Sequence, residues 1–399
     1  MSSAQANDAV VSNTRVPAVA SNPPRGQSPQ LPHSHLQSRG CSMAMSASSL
    51  KDVGLAAATR VYDELRQKHY NYQAHAVLRS IEGQQGPTDK RLVKLANDYS
   101  RDVFGSIKYA PWLRVYAAIS GGFKEGWIPD NYYGIVVDPL KAGGAAKVVA
   151  MKTFTNRILN TEALPDLAYV IDGLYYSRDF KPVQEAELIK LLFDQDERVF
   201  FKGDNSGQGR SVVIMTREDF PRAGNGRLPD GVFQAPIKQH EFFARMSSRS
   251  TATVRITTAR NPDGNMAVKA AYLRVGRAVD EIVRCRSHVR VAVDIRTGAL
   301  NDVAYLHDWR KVSEHPDTQF SFAGHTIPHF LDAAELCRSL HASCPHMLCI
   351  GWDVCIDRDN QVKIMEWNAR YNDIKFSEAT VGPCFRGLGW ESLWKRAAA

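Results

Sequence analysis

Apolar residues recur at helical spacing through the first ordered part of the chain and give way to strand-like runs further on. In "SLKDVGLAAATRVYDELRQKH", Leu55, Ala58, Tyr62 and Leu65 fall on one helical face, and Ser49 with Asp52 reads as a capping box. "TDKRLVKLANDYSRDVFG" predicts a second helix, with Leu92, Leu95, Ala96, Tyr99 and Val103 on one side and Gly105 after its end. Residues 49–125 therefore read as a helical region. From "NYYGIVV" onward strand-like runs alternate with helices, among them "MKTFTNRILNTEALP" and "IPHFLDAAELCRSLHASCP". Residues 1–48 show no apolar period and are rich in Ser, Pro, Gln and Ala, which predicts a disordered tail. That tail lacks the continuous apolar core of a secretory signal; it fits an unstructured extension, a transit peptide or a secretion leader.

Composition narrows the class. The 399 residues leave room for two or three lobes, and 44% apolar with 23% charged residues is ordinary for a globular chain. No run approaches the about eighteen apolar residues that span a bilayer, so no membrane partner is expected. The formal charge is +8, of which residues 1–50 carry three arginines against one aspartate, leaving +6 for the remainder. That surplus suits an acidic ligand such as a nucleotide, whereas the basic and aromatic clusters of a nucleic-acid binder are missing. Seven cysteines (Cys41, Cys285, Cys337, Cys344, Cys349, Cys355, Cys384) form no C-x-x-C pair and read as reduced thiols, which points to the cytoplasm.

Two stretches carry candidate chemistry. "RVFFK" and "SVVIM" read as strands joined by the glycine-rich "GDNSGQGR", so Lys202 stands at the base of a mobile hairpin loop. Strand–loop–strand excludes both the dinucleotide fingerprint and the G-x-x-x-x-G-K-[ST] phosphate loop, which open helices. The loop is either a lid over an anionic ligand or a plain surface hairpin. Further on, "WDVCI" and "VKIMEWN" flank the turn-rich "DRDNQ". A turn centred between Asp359 and Asn360 sets Asp353 opposite Glu366, with Asn368 on the face of Glu366. Facing carboxylates repel unless a cation or proton lies between them, and oxygen donors favour Mg²⁺. The alternative is a solvated hairpin face with incidental acids.

In this order the motifs resemble the ATP-grasp superfamily, and "TVRITT", "HPDTQFSFAGHTIPHF", "GWDVCI" and "EWNARYND" resemble its sugar-transfer-associated family, akin to α-L-glutamate ligases. The resemblance spans roughly residues 125–395. It implies an α+β ATP-grasp fold in which two α+β lobes clasp a nucleotide, here 126–232 with the glycine-rich lid and 233–399 with the metal site, preceded by the helical region. It implies that Lys202, Lys152 and the loop residues Gly203, Asp204, Ser206, Gly207, Gly209 and Arg210 hold phosphates. Lys152 also reads as an ordinary amphipathic-helix lysine. Gln234, Ala235 and Ile237 would line the adenine slot, His240 or Glu241 would lie near the ribose, and Asp353, Glu366 and Asn368 would hold Mg²⁺. Arg255 and Arg274 would face the transferred phosphoryl group, and Arg370, Asn372, Asp373 and Lys375 would contact substrate. No arginine stands beside Asp353 in the sequence, where dipeptide-type ligases carry one, and the usual strand–helix leading domain is replaced by helices. The implied activity is ATP-dependent ligation of a small-molecule carboxylate to an amine through an acyl phosphate. The alternatives are an ATP-grasp kinase, or a non-catalytic nucleotide-binding module or secreted effector. The spacing of His315, His325 and His329 matches no zinc signature and reads as loop structure.

Overall fold

The computed structural model describes residues 47–142, 146–205, 212–220, 228–278, 280, 287–370 and 372–397. The helical region comprises α1 (Ala47–Gln85), α2 (Lys90–Phe104) and α3 (Ala110–Ser120). The Asp89 side chain accepts from the Arg91 backbone N–H to start α2, and Gly105 ends it in the left-handed region with its N–H on Arg101 and Ser100. Ala96 of α2 is fully buried, with Leu92, Tyr99 and Val103 packed beside it, while Leu95 is exposed. In α1 the outcome differs from the expected face. The helix begins at Ala47, so Ser49 lies within it and not at its cap. Ala58, Tyr62 and Leu65 point to solvent; the face turned inward carries Tyr70, Ala74, Val77 and Ile81.

"NYYGIVV" is not a strand. Residues 130–132 form a helical turn that continues as a π-helical turn over Tyr133–Val137. The run is apolar because it is enclosed, with Tyr132, Tyr133, Val136 and Val137 all buried. Arg66 donates to the Gly134 carbonyl at 2.7 Å, and a Cβ at Gly134 would lie 2.1 Å from the Tyr70 hydroxyl. Glycine is required there by close approach, which propensity cannot reveal.

Two antiparallel sheets follow. The first has order β2-β1-β5-β3-β4, built from β1 (Asp166–Ile171), β2 (Leu174–Ser177), β3 (Arg198–Gly203), β4 (Val212–Thr216) and β5 (Gly231–Gln234). One face packs on Leu188 and Leu192 of the helix Glu185–Phe193. The second has order β10-β9-β8-β7-β6-β11-β12, from β6 (Thr253–Arg260), β7 (Met266–Val275), β8 (Val289–Val293), β9 (Leu300–Tyr305), β10 (Lys311–Val312), β11 (Cys349–Ile356) and β12 (Val362–Asn368). One of its faces carries Val254, Ile256, Leu273 and Trp352 into a core with the helix Phe330–Ala342. The other carries Tyr272, Ala292 and Tyr305 into a core with the helical region. All eight residues of β11 are buried, as an interior strand covered on both faces requires.

Candidate active site

Strand pairing places the charged residues on one face of the second sheet. Asp353 pairs with Arg255 on one side and Glu366 on the other, and Arg255 pairs with Tyr272. Directly opposed residues in antiparallel strands share a face, so Glu366, Asp353, Arg255 and Tyr272 form a row across four strands. Arg274, two residues beyond Tyr272, lies on that face and pairs with Arg290. The expected opposition of Asp353 and Glu366 is present, and Asn368 stands opposite Gly351. The turn half of the hairpin is shifted by one residue, because the ladder steps from Asp353–Glu366 to Val354–Ile364 and leaves Met365 as a bulge.

Asp353 is tightly held. Arg255 Nε donates to its Oδ1 at 2.5 Å and Nη2 to its Oδ2 at 3.0 Å, while Arg274 Nη2 lies 2.6 Å from Oδ1. Burial pushes this carboxyl up, but Arg255 and then Arg274 outweigh it and hold it at about 2. For Arg255, burial disfavours the cation; Asp353 more than restores it, raising the pKa above its ordinary value. Two arginines therefore stand beside Asp353 in space, one from β6 and one from β7.

The bulge also gives Lys202 its place. Lys202 is the penultimate residue of β3, opposite Val232, and its Nζ donates to the Met365 carbonyl at 3.1 Å. Burial lowers its pKa, opposed by Glu366 and Asp166. Lys152 opens the helix α4 (Lys152–Leu159), with Nζ 3.9 Å from Glu366 Oε1. Lys152, Lys202, Glu366, Gln234 and Asp166 line one cleft whose remaining walls are largely apolar, including Val149, Leu164, Val232 and Trp367. Both sheets contribute to it. Asp166 was not singled out by the sequence, where it is only an acid at the head of an apolar strand. It is buried, which raises its pKa, and it accepts from Gln234 Nε2 at 2.7 Å and the Tyr169 hydroxyl at 2.9 Å.

The remaining expected residues divide. Gly203 pairs with Gly231 at the end of β3, and Ser206, Gly207, Gly209 and Arg210 lie outside the described residues. The Asp204 carboxylate accepts from the Thr153 backbone N–H at 3.1 Å and the Thr153 hydroxyl at 2.7 Å. It therefore binds the start of the loop to the first turn of α4, beside Lys152, instead of pointing at an anion. The cleft walls include Gln234 but not Ala235, Ile237 or Glu241; the Ala235 N–H donates to Pro165, and Glu241 is exposed at the start of a helical turn.

Arg370, Asn372, Asp373 and Lys375 run along the seam between the second sheet and the helical region. Lys375 Nζ lies 2.9 Å from Asp373 and 3.8 Å from Asp130, and Arg370 Nε lies 3.8 Å from Asp138. Asn372 is buried over Gly351, where a Cβ would come within 2.4 Å of its Oδ1 and 3.1 Å of Arg255 Nη1. A glycine interrupting an apolar strand is the sequence signal for that close approach. Asp130 and Arg290, the latter's guanidinium 4.4 Å from the Trp309 ring and 4.7 Å from Phe376, carried no such signal.

His315 sits on the Gly276 carbonyl at 3.1 Å and His329 on Asp332 at 2.9 Å, so the histidines serve loop structure. Among the described residues no group of three or more His, Cys, Asp and Glu could hold a metal ion. Asp353, Glu366 and Asn368 offer two carboxylates and an amide oxygen on adjoining strands. Oxygen donors of that kind are of the type Mg²⁺ takes, and a cation there would have to share Asp353 with Arg255 and Arg274.

Residues 222–388 match the sugar-transfer associated ATP-grasp family. No curated protein matches the chain. Among solved structures, the chain is similar to carboxyaminoimidazole ribonucleotide synthase from Aspergillus clavatus complexed with ATP: 13% identity, 58% of this chain and 48% of that one covered, TM-score 0.37. N5-carboxyaminoimidazole synthetase from Staphylococcus aureus gives 10%, 57%, 45% and 0.35 for the same quantities. The ATP-grasp ligase PsnB complexed with minimal precursor gives 14%, 63%, 63% and 0.36. The chain spans about half the length of the first of these structures. That family match covers residues 222–388, less than half of the chain, and the described architecture is α+β, with helices ahead of the two sheets.

Proposed function

We propose that the protein is an ATP-dependent carboxylate–amine ligase that works through an acyl phosphate and releases ADP and phosphate. The observation that carries this reading is the convergence of Lys152, Lys202 and Glu366 on one cleft beside the Arg255–Asp353–Arg274 row. Residues 126–232 and 233–399 act as the two lobes. Lys202 and Lys152 neutralise nucleotide phosphates against the apolar cleft walls, where a positive charge acts more strongly than in water. Mg²⁺, when held by Asp353, Glu366 and Asn368, neutralises phosphate charge. A substrate carboxylate oxygen attacks the γ-phosphorus as the bond to ADP breaks; Arg255 and Arg274 offset the charge spreading over the transferred group. An amine then attacks the acyl carbon and loses a proton, and phosphate departs with the C–O electrons. Arg370, Asn372, Asp373 and Lys375 border the substrate side. No helix among the described residues is long and apolar enough to cross a membrane, and a reducing cytoplasm suits the free thiols.

The test is ATP turnover with pooled carboxylic acids and hydroxylamine, read by mass spectrometry. A hydroxamate formed with ADP is the expected product and identifies the acid. A stable phosphate ester without hydroxamate identifies a kinase instead, and AMP formation contradicts the acyl-phosphate route. Replacing Glu366 with Gln should weaken Mg²⁺-dependent nucleotide binding on the order of tenfold, since removing a charged oxygen ligand lowers cation affinity. Unchanged Mg²⁺ dependence in a titration removes Glu366 from the cation's shell.

A further inference from the structure

Helix α1 presents an apolar stripe that nothing in the described structure covers. Val61 is 58% exposed, Tyr62 56%, Leu65 60% and Tyr72 69%, and Ala58 lies exposed beside them. At 100° per residue, Ala58, Val61, Tyr62, Leu65 and Tyr72 fall within one side of the helix, opposite the face that buries Ala74 and Ile81. Single exposed apolar residues are ordinary, but a contiguous helical stripe of this kind marks a contact surface.

The charges along its edge select the occupant. Glu64 and Lys68, both exposed, flank the stripe on the same side, one turn apart. In an antiparallel copy their order is reversed, so each Glu64 meets the other chain's Lys68, and Leu65 lies at the centre against its own counterpart. Val61 and Tyr62 then face the end of the stripe that carries His69 and Tyr72. In a parallel copy this edge would lie against the opposite edge of the partner helix, and the Glu64–Lys68 pairing would be lost. A lipid or nucleic-acid surface would call for an excess of basic residues, whereas Glu64 and Lys68 cancel. We propose that this face of α1 is a self-association surface, through which two copies of the chain pair as antiparallel helices centred near Leu65.

From Ala58 to Tyr72 the stripe is about 21 Å long at 1.5 Å per residue, so the contact lies at the small end of specific interfaces and self-association should be weak, on the order of micromolar. Sedimentation velocity of the full chain over a concentration series tests this, with far-ultraviolet circular dichroism as the control for helix content. The wild type should show a concentration-dependent dimer, and Leu65→Asp should be monomeric with its helicity retained. Glu64→Lys alone and Lys68→Glu alone should each weaken the dimer at least about fivefold by placing like charges together. The double variant Glu64→Lys/Lys68→Glu should restore it. A wild type that is monomeric at every concentration overturns the proposal, as does a dimer that survives Leu65→Asp. Failure of the double variant to recover association overturns the antiparallel register. A monomer that instead binds anionic vesicles, and loses that binding in Leu65→Asp, assigns the stripe to a membrane surface.

Discussion

Arg255→Met is expected to destabilise the protein by about 3 kcal/mol, at the lower end of the cost of removing one partner from a buried ion pair. Arg255 and Asp353 side chains are each only 8% exposed, and Arg255 supplies two of the hydrogen bonds that hold the carboxylate. Arg274 remains on Oδ1 in the variant, which keeps the loss from the upper end of the range. Urea unfolding of both proteins measures it. The pH dependence follows from Asp353, whose folded pKa of about 2 lies below the roughly 3.9 of an unfolded aspartate. Its stabilising contribution is complete above the unfolded value and is lost as pH falls toward the folded one. The gap between wild type and Arg255→Met should therefore be widest near neutrality and narrow in acid. The double variant Arg255→Met/Asp353→Leu should recover part of the loss, because it leaves no buried charge without a partner. A loss under about 1 kcal/mol would mean that Arg274 alone satisfies Asp353.

The parts of this site that local pattern dictates were readable in the chain, and the parts set by distant pairing were not. The β11–β12 hairpin has a short polar turn between two apolar runs, so its register follows from period-two alternation, and Asp353 meets Glu366 as expected. The bulge at Met365 left no mark in the pattern, although it places the carbonyl that receives Lys202. Nor could alternation show that Arg255, 98 residues earlier, lies beside Asp353, because that contact depends on β6 pairing with β11. Tertiary context reversed two local readings. "NYYGIVV" has the β-branched and aromatic residues of a strand, yet enclosure accounts equally well for its apolarity and the chain there is helical. In α1 the apolar period was real but marked the outer face, since the inner face mixes Arg66 and Tyr70 with Ala74 and Ile81. Asp204 shows the same limit at one residue: its place in a glycine loop suggested a ligand contact, and its carboxylate caps a neighbouring helix.

Lys202→Met should lower the affinity for Mg-ATP by roughly 10- to 150-fold, the equivalent of about 1.5–3 kcal/mol for a hydrogen bond to a charged group. The substitution keeps most of the apolar stem against Val232 and removes only the ammonium. Folding should survive it. The lost donor leaves the Met365 carbonyl at the cleft wall, while the desolvation that depresses the Lys202 pKa is relieved. Calorimetric titration with a non-hydrolysable ATP analogue, beside an unfolding curve, separates lost affinity from lost structure. The depressed pKa adds a second signature. In the free protein Lys202 gives up its proton at lower pH than a solvated lysine would, so wild-type affinity should begin to fall earlier on the alkaline side. Lys202→Met, already without the charge, should lack that limb. Unaltered affinity in a folded variant would move the phosphate site away from the end of β3 and leave Lys152 as the cation facing Glu366 across the cleft.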